Sequence, residues 1–169
     1  MHSQTILHRC LDTLLTGVHS RRRQTLFAAV AACVSGPRLT LTDIGRRFNS
    51  QTSLRHCIKR ADRLPGNSKL QGERRTFYAP LCRVLLVRVA EPLILIDWSD
   101  LKADQSLHLL RASLALGGRS LTLYEEVHGQ RLLGNRGVMT RFLRTLATLL
   151  PVHAAPITIA DSGFKVPAD

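Results

Sequence analysis

Pro92-Leu93-Ile94-Leu95-Ile96-Asp97 and Pro156-Ile157-Thr158-Ile159-Ala160-Asp161 are the stretches whose reading decides the fold. Each is a short apolar run, rich in branched aliphatics, opened by a proline and closed by an aspartate. Runs of about four to eight such residues read as buried strands. If the two strands lie side by side, the carboxylates at their ends meet. At about 4 Å and an effective dielectric near 20, the two charges repel by roughly 4 kcal/mol. A divalent cation offsets that repulsion directly. The plainer alternative is that each acid merely ends a strand or caps the helix that follows.

Trp98-Ser99-Asp100 follows the first run. Leu107–Leu116 and Ser120–Val127 then read as two further strands, and Gly117-Gly118 between them suggests a two-residue hairpin turn with positive φ. Asn135 can cap a helix with the apolar face Val138, Met139, Phe142, Leu143, Leu146 and Leu150, ended by Pro151. The expected order is strand, hairpin, helix, strand. A helix between the hairpin and the last strand lets that strand pair parallel to the first through a right-handed crossover. That connection brings Asp97 beside Asp161.

Toward the N-terminus the pattern is helical. Ile6, Leu7, Leu11, Leu14, Leu15 and Val18 recur at helix spacing. After the basic run Arg21-Arg22-Arg23, the residues Leu26, Phe27, Val30, Ala31 and Val34 repeat it, and Ser35-Gly36-Pro37 ends that helix. Thr40–Phe48 reads as a short helix with Thr40 or Thr42 at its start. Asn49-Ser50 makes a turn, and Ser53–Arg63 forms a second helix, stopped at Leu64-Pro65-Gly66-Asn67. Short helix, turn and basic helix are the layout of a helix-turn-helix. On the second helix Leu54 and Ile58 are expected to pack inward. Arg55, Lys59, Arg60 and Arg63 then point outward, and Arg46 and Arg47 join them as candidate DNA contacts. The alternative is the solvated basic face of an ordinary helical bundle. A further helix around Glu73 to Val89, broken or kinked near Pro80, leads into the second domain. The boundary falls at residues 88/89, giving a basic helical domain (1–88) and a second domain (89–169).

The formal net charge is +12 and the sequence pI about 11.0. Residues 1–90 hold 16 Lys and Arg against 4 Asp and Glu, whereas residues 91–169 hold 8 against 8. All of the excess therefore precedes the first strand. A basic module joined to a neutral domain calls for a polyanion partner. A ribosomal or membrane-surface protein could carry the same charge. RNA-binding surfaces, however, often use stacked aromatics, and only 5% of these residues are aromatic. No stretch approaches the ~18 unbroken apolar residues of a membrane span. The polar start Met1-His2-Ser3-Gln4-Thr5 does not read as a secretory signal, so a cytoplasmic protein is expected. Cys10, Cys33, Cys57 and Cys82 are single and widely spaced, as reduced cytosolic thiols would be. The seven histidines are scattered, so histidine ligation of a metal is not expected.

Several local sequences, in this order, carry a resemblance. They are Leu39–Arg46, Ile58–Leu64 with Gly66-Asn67, Asp97-Trp98-Ser99-Asp100, Leu110-Arg111-Ala112-Ser113, Gly118-Arg119-Ser120, Thr122-Leu123-Tyr124-Glu125 and Asp161-Ser162-Gly163-Phe164-Lys165. Together they resemble the DDE-type transposases of bacterial insertion sequences, most nearly insertion-sequence family four, over almost the whole chain. The resemblance implies an α+β protein: a helical DNA-binding domain, then a truncated RNase H-like core of order β-ββ-α-β. It implies cut-and-paste transposition, with the N-terminal domain binding the double-stranded terminal inverted repeats and the parent protein able to dimerise. Its D-D-E triad binds two Mg²⁺ or Mn²⁺ ions about 3.5–4 Å apart for in-line phosphoryl transfer. Carried over by position, Asp97 and Asp161 are the first two catalytic, metal-binding acids, and Asp100 is a candidate for supporting them from behind. The third acid, a Glu within a Tyr…Arg…Glu…Lys signature beyond the second Asp, has no counterpart before Asp169, and Glu125 and Glu126 match a different family segment. The expectation is therefore a transposase by family whose polypeptide, alone, is an inactive N-terminal fragment with an uncovered sheet face and weak metal binding. Two alternatives remain: a non-catalytic DNA-binding repressor of transposition and a decayed gene product.

Overall fold

Helix-forming sequence runs from Ser20 to Leu85, and strand-forming sequence begins at Leu93. The computed structural model describes residues 15 and 17–160. The apolar repeat from Ile6 to Leu14 and the whole segment from Asp161 onward lie outside the described residues. The chain forms two compact units, Met1–Pro80 and Leu81–Asp169. Their division falls inside a helix, earlier than residues 88/89.

The first unit contains α1 (Ser20–Ser35), α2 (Leu41–Arg46), α3 (Leu54–Asp62), α4 (Ser68–Gly72) and the start of α5 (Arg74–Leu85). α1 stops at Gly36, ahead of Pro37, which cannot extend it. Of the two candidate threonines it is Thr40 that caps α2: its Oγ1 accepts the Asp43 N–H at 3.2 Å. Residues 47–53 link α2 to α3, a longer link than the turn of about three to four residues in a compact helix-turn-helix.

Packing here is set by small residues. Ala29, Ala32, Phe48, Cys57 and Ala61 form one buried cluster, with Ile44 and Leu64 at its margin. Leu15, Val18 and Phe27 form a second, against Phe77. The expected face of α1 is thereby corrected. The alanines admit the neighbouring helices, so Leu26, Val30 and Ala31 are only half-buried and Val34 is exposed. The inward face of α3 is corrected for the same reason: Cys57 and Ala61 are buried, Ile58 is half-buried, and Leu54 is 54% exposed. The approach is closest at Gly45, where a Cβ would stand 2.5 Å from Ile58 Cα. Large side chains cannot occupy such a crossing.

The second unit is a four-stranded mixed sheet of order β3-β2-β1-β4 with helix α6 (Arg136–Leu149). Its strands are β1 (Leu93–Asp100), β2 (Leu107–Leu116), β3 (Arg119–Gly129) and β4 (Ile157–Ala160). The protein is thus α+β, and β4 pairs parallel to β1, from Leu93↔Ile157 to Ile96↔Ala160. β1–β2 and β2–β3 are antiparallel. The hairpin closes at Leu116↔Arg119, but only Gly118 has positive φ, at +75°. A register shift beside Ala112 leaves Leu123 between the paired residues Thr122 and Tyr124, so two successive side chains, Leu123 and Tyr124, are buried. The Leu123 carbonyl, free of the ladder, accepts the Cys82 thiol at 3.4 Å, and burial pushes that thiol up to about 11.

β1 departs from expectation in two ways. It continues through Asp100, because its pairing with β2 runs on to Asp100↔His108, so Asp97 lies mid-strand and Asp100 closes it. It is also buried on one face only: Ile94 and Ile96 are covered, whereas Leu93 and Leu95 are each 37% exposed. β4 is exposed along its length, Ile157 at 56% and Ile159 at 52%. Helix α6 (Arg136–Leu149) covers the other face. Asn135 caps it through Oδ1, which accepts the Val138 N–H at 3.1 Å, and Phe142 stacks on Tyr124 with ring centroids 5.0 Å apart. Its buried stripe is Val138, Met139, Phe142, Thr145, Leu146 and Leu149. Leu143 and Leu150, expected in that stripe, sit off it, the first exposed and the second half-buried.

Candidate active site and nucleic-acid interface

On the open face of the sheet, three charged residues stand in one cross-strand row. Asp97 on β1 pairs with Arg111 on β2, which pairs with Glu125 on β3. Arg111 Nε donates to Glu125 Oε2 at 2.9 Å, so the arginine is held by the outer acid. Asp97 Oδ2 accepts a hydrogen bond from Ser99 Oγ at 2.9 Å. Among the described residues Asp97 has no ion-pair partner, which leaves an exposed carboxylate oriented by a neighbour with most of its lone pairs free. The β1–β4 register ends at Ile96↔Ala160; the residues next in sequence are Asp97 and Asp161. Asp161 lies outside the described residues, so its position is not described. Among the described residues no group of three or more His, Cys, Asp and Glu is arranged to hold a metal, and Asp97 is the only expected ligand they contain. Its hard oxygen donors suit Mg²⁺ or Mn²⁺.

The opposite face carries polar groups of another kind. Successive side chains alternate across a strand, so Trp98 and Asp100 point away from Asp97. Asp100 is already engaged: His108 Nδ1 lies 2.9 Å from its Oδ1, and Gln105 Nε2 donates to its Oδ2 at 3.1 Å. His108, fully buried, bonds to Gln130 through its other nitrogen. The expected supporting role of Asp100 behind Asp97 is therefore corrected: it faces the other way. Next to it, buried Glu126 receives the Tyr124 hydroxyl, His128 Nε2 at 3.0 Å and, more distantly, Arg141 at 3.9 Å. Trp98 meets His128 edge-on at 5.5 Å. The sequence reading passed over this cluster, although alternation in Tyr124-Glu125-Glu126-Val127-His128 already sets positions 124, 126 and 128 on one face.

The six basic residues expected at a DNA interface fall into two groups. Arg46, Arg55, Lys59 and Arg63 are exposed. Arg55, Lys59 and Arg63 follow one another at four-residue intervals, along one side of α3 and its C-terminal cap. Arg47 and Arg60 turn back onto their own unit instead. Arg47 donates to Ser35 O at 3.3 Å and lies 3.7 Å from Asp43. The Arg60 guanidinium sits 5.2 Å above the Phe48 ring, and its Nη2 donates to Thr25 Oγ1 at 3.4 Å. The outward orientation expected for Arg60 is corrected accordingly: the face of the Phe48 ring attracts it.

No protein-family model matches this chain, and no curated protein or solved structure matches it either.

Proposed function

We propose that the chain is a DDE-type transposase polypeptide, with a helical unit that binds double-stranded DNA at the ends of its element and a sheet that carries two acids for metal-dependent phosphoryl transfer. The observation that carries this reading is the parallel pairing of β1 and β4 beside an exposed Asp97 that has no ion-pair partner among the described residues. Two antiparallel pairings followed by a parallel fourth strand, reached through a helix, are the arrangement an RNase H-like core requires. On this reading Asp97 and Asp161 are the metal ligands, and Ser99 fixes the Asp97 carboxylate. A divalent ion bound there would polarise a phosphodiester oxygen and lower the pKa of the attacking water or 3′-hydroxyl. The basic excess of residues 1–90 supplies counterion release on the DNA backbone, and the setting is the bacterial cytoplasm, on the nucleoid.

Binding without cleavage, as in a repressor that occupies element ends, is the second reading. The test is paired. Duplex DNA flanking the coding sequence is titrated with the 169-residue chain, and Mn²⁺ binding is followed by water-proton relaxation. Expected are salt-sensitive DNA binding and a weak Mn²⁺ site that Asp97→Asn or Asp161→Asn removes without changing DNA affinity. Mn²⁺ binding that survives both substitutions would overturn the metal assignment. Nicking abolished by the double substitution would overturn the repressor reading.

A further inference from the structure

The helical unit contains a cavity of about 210 Å³ lined by Arg21, Arg22, Thr25, Arg60, Arg63 and Asn67, with Leu64 at its side. Arg21, Arg22 and Thr25 come from the first turns of α1, and Arg60 and Arg63 from the end of α3. In space of this kind a single water needs only ~10–15 Å³, so a phosphate group and several waters fit.

Four arginines line it, and one carboxylate, that of Glu73, is paired with them. Glu73 grips Arg22 through two hydrogen bonds, and that contact holds the Glu73 carboxyl below its ordinary range. Arg21, Arg60 and Arg63 have no ion-pair partner among the described residues. Two of the four are already positioned, Arg22 by Glu73 and Arg60 by Phe48 and Thr25. Arg21 and Arg63 are exposed at the rim. Asn67 has committed its Oδ1 to the Leu70 N–H, which leaves its amide NH₂ as a donor. A cavity lined by four arginines, of which exposed Arg21 and Arg63 keep their forks free of ion pairs among the described residues, is complementary to an oxyanion whose oxygens take paired N–H bonds.

We infer that this cavity is a phosphate clamp for one backbone phosphodiester of the bound DNA. The inference rests on the DNA-binding reading and adds to it a defined anchor, with Arg21 and Arg22 as contacts. The row Arg55, Lys59 and Arg63 leads along α3 to the cavity over about 12 Å, at 1.5 Å per residue. Duplex DNA presents one charge per ~1.7 Å of its axis, so such a row tracks a run of phosphates and ends in the clamp.

The test uses the full 169-residue chain, a fluorescent duplex and a series of salt concentrations, with the pair Arg21→Gln/Arg63→Gln. Neither side chain has a hydrogen bond or ion pair among the described residues, so circular dichroism of the variant should match the parent. Each phosphate contact contributes about 0.9 to the slope of log affinity against log salt. The Gln pair should flatten that slope by about 0.9 and weaken binding by about tenfold, the scale of one charge-assisted contact. Arg21→Lys/Arg63→Lys, which keeps the charge and guards against a folding artefact, should restore most of the slope. If the parent binds DNA and the Gln pair leaves slope and affinity unchanged, the clamp is refuted and the DNA-binding reading stands. If the parent ignores DNA yet binds inorganic phosphate in an Arg21- and Arg63-dependent way, the cavity is an anion site for free phosphate, and the DNA-binding reading fails. If it binds neither, both fall.

Discussion

Replacing Gly45 by alanine probes the close crossing that positions α3. A Cβ at this position would stand 2.5 Å from Ile58 Cα, 2.9 Å from Ile58 N and 3.1 Å from Cys57 C. All three are backbone atoms, so no rotamer change relieves the clash. Ordinary contact begins at 3.4 Å, so the two helices must part by about 0.9 Å. Overpacking of this kind costs ~1–3 kcal/mol, and the better helix propensity of alanine returns up to ~1 kcal/mol. Midway values of ~2 kcal/mol for the clash and ~1 kcal/mol for the propensity leave an expected net loss of ~1 kcal/mol. Trp98, the only tryptophan, belongs to the other unit, so the helical circular dichroism in urea is the measurement, supported by amide exchange in α2 and α3. Gly66→Ala is the control, since a Cβ there would meet nothing within 4 Å and the φ of Gly66 is not positive; it should be neutral or slightly stabilising. The crossing would be refuted by a Gly45→Ala protein as stable as the Gly66→Ala protein.

Two further outcomes are expected. Phe142 is fully buried and stacks on Tyr124, so Phe142→Ala should cost the sheet unit ~3–5 kcal/mol, read from Trp98 emission during urea unfolding. Glu73 has its carboxyl held below the ordinary 4.5, first by the hydrogen bond from Arg22. A depressed carboxyl contributes stability above its unfolded value and loses it as pH falls through the folded one. Acidification below 4.5 should therefore weaken the helical unit of the parent, and Glu73→Gln should remove that part of the slope.

How much of this was legible in the sequence depended on whether a local signal was sufficient. The caps at Thr40 and Asn135, the stop at Gly36-Pro37 and the hairpin at Gly117-Gly118 rest on local chemistry, and each appears where its residues predict. The parallel pairing of β1 with β4 followed from the helix between the hairpin and the last strand, which allows a right-handed crossover. Burial was less legible because it depends on partners distant in sequence. Apolar runs at 92–97 and 156–161 look the same whether one face or two are covered, and Leu93, Leu95, Ile157 and Ile159 proved exposed. Helix periodicity favoured Leu54 and Val34 as core, while alanines and Gly45 decided which sides meet. Arg21 and Arg22 read as a basic run; their place beside Arg60 and Arg63 needed the fold.

Among the described acids from β1 onward, Asp97 stands apart as a candidate. Glu125 is held by Arg111, Asp100 lies between His108 and Gln105, and Glu126 is buried among Tyr124, His128 and Arg141. Asp104 accepts the Ser106 N–H, which holds its carboxyl below the usual range. Each of these carboxylates has its charge answered within the fold. Asp97 receives one hydroxyl, from Ser99, and its neighbour across the ladder, Arg111, is turned to Glu125 instead. A protein stabilised only by internal pairing would gain by turning Arg111 the other way or by replacing Asp97 with threonine, which suits a strand better. An aspartate mid-strand, exposed and one residue beyond the last β1–β4 pair, gains little from pairing within the fold, and this is the position the proposed cation site requires. Asp97→Thr should accordingly leave the sheet unit at least as stable as the parent in urea. A clear loss of stability would make Asp97 a structural residue and remove the basis for the metal site.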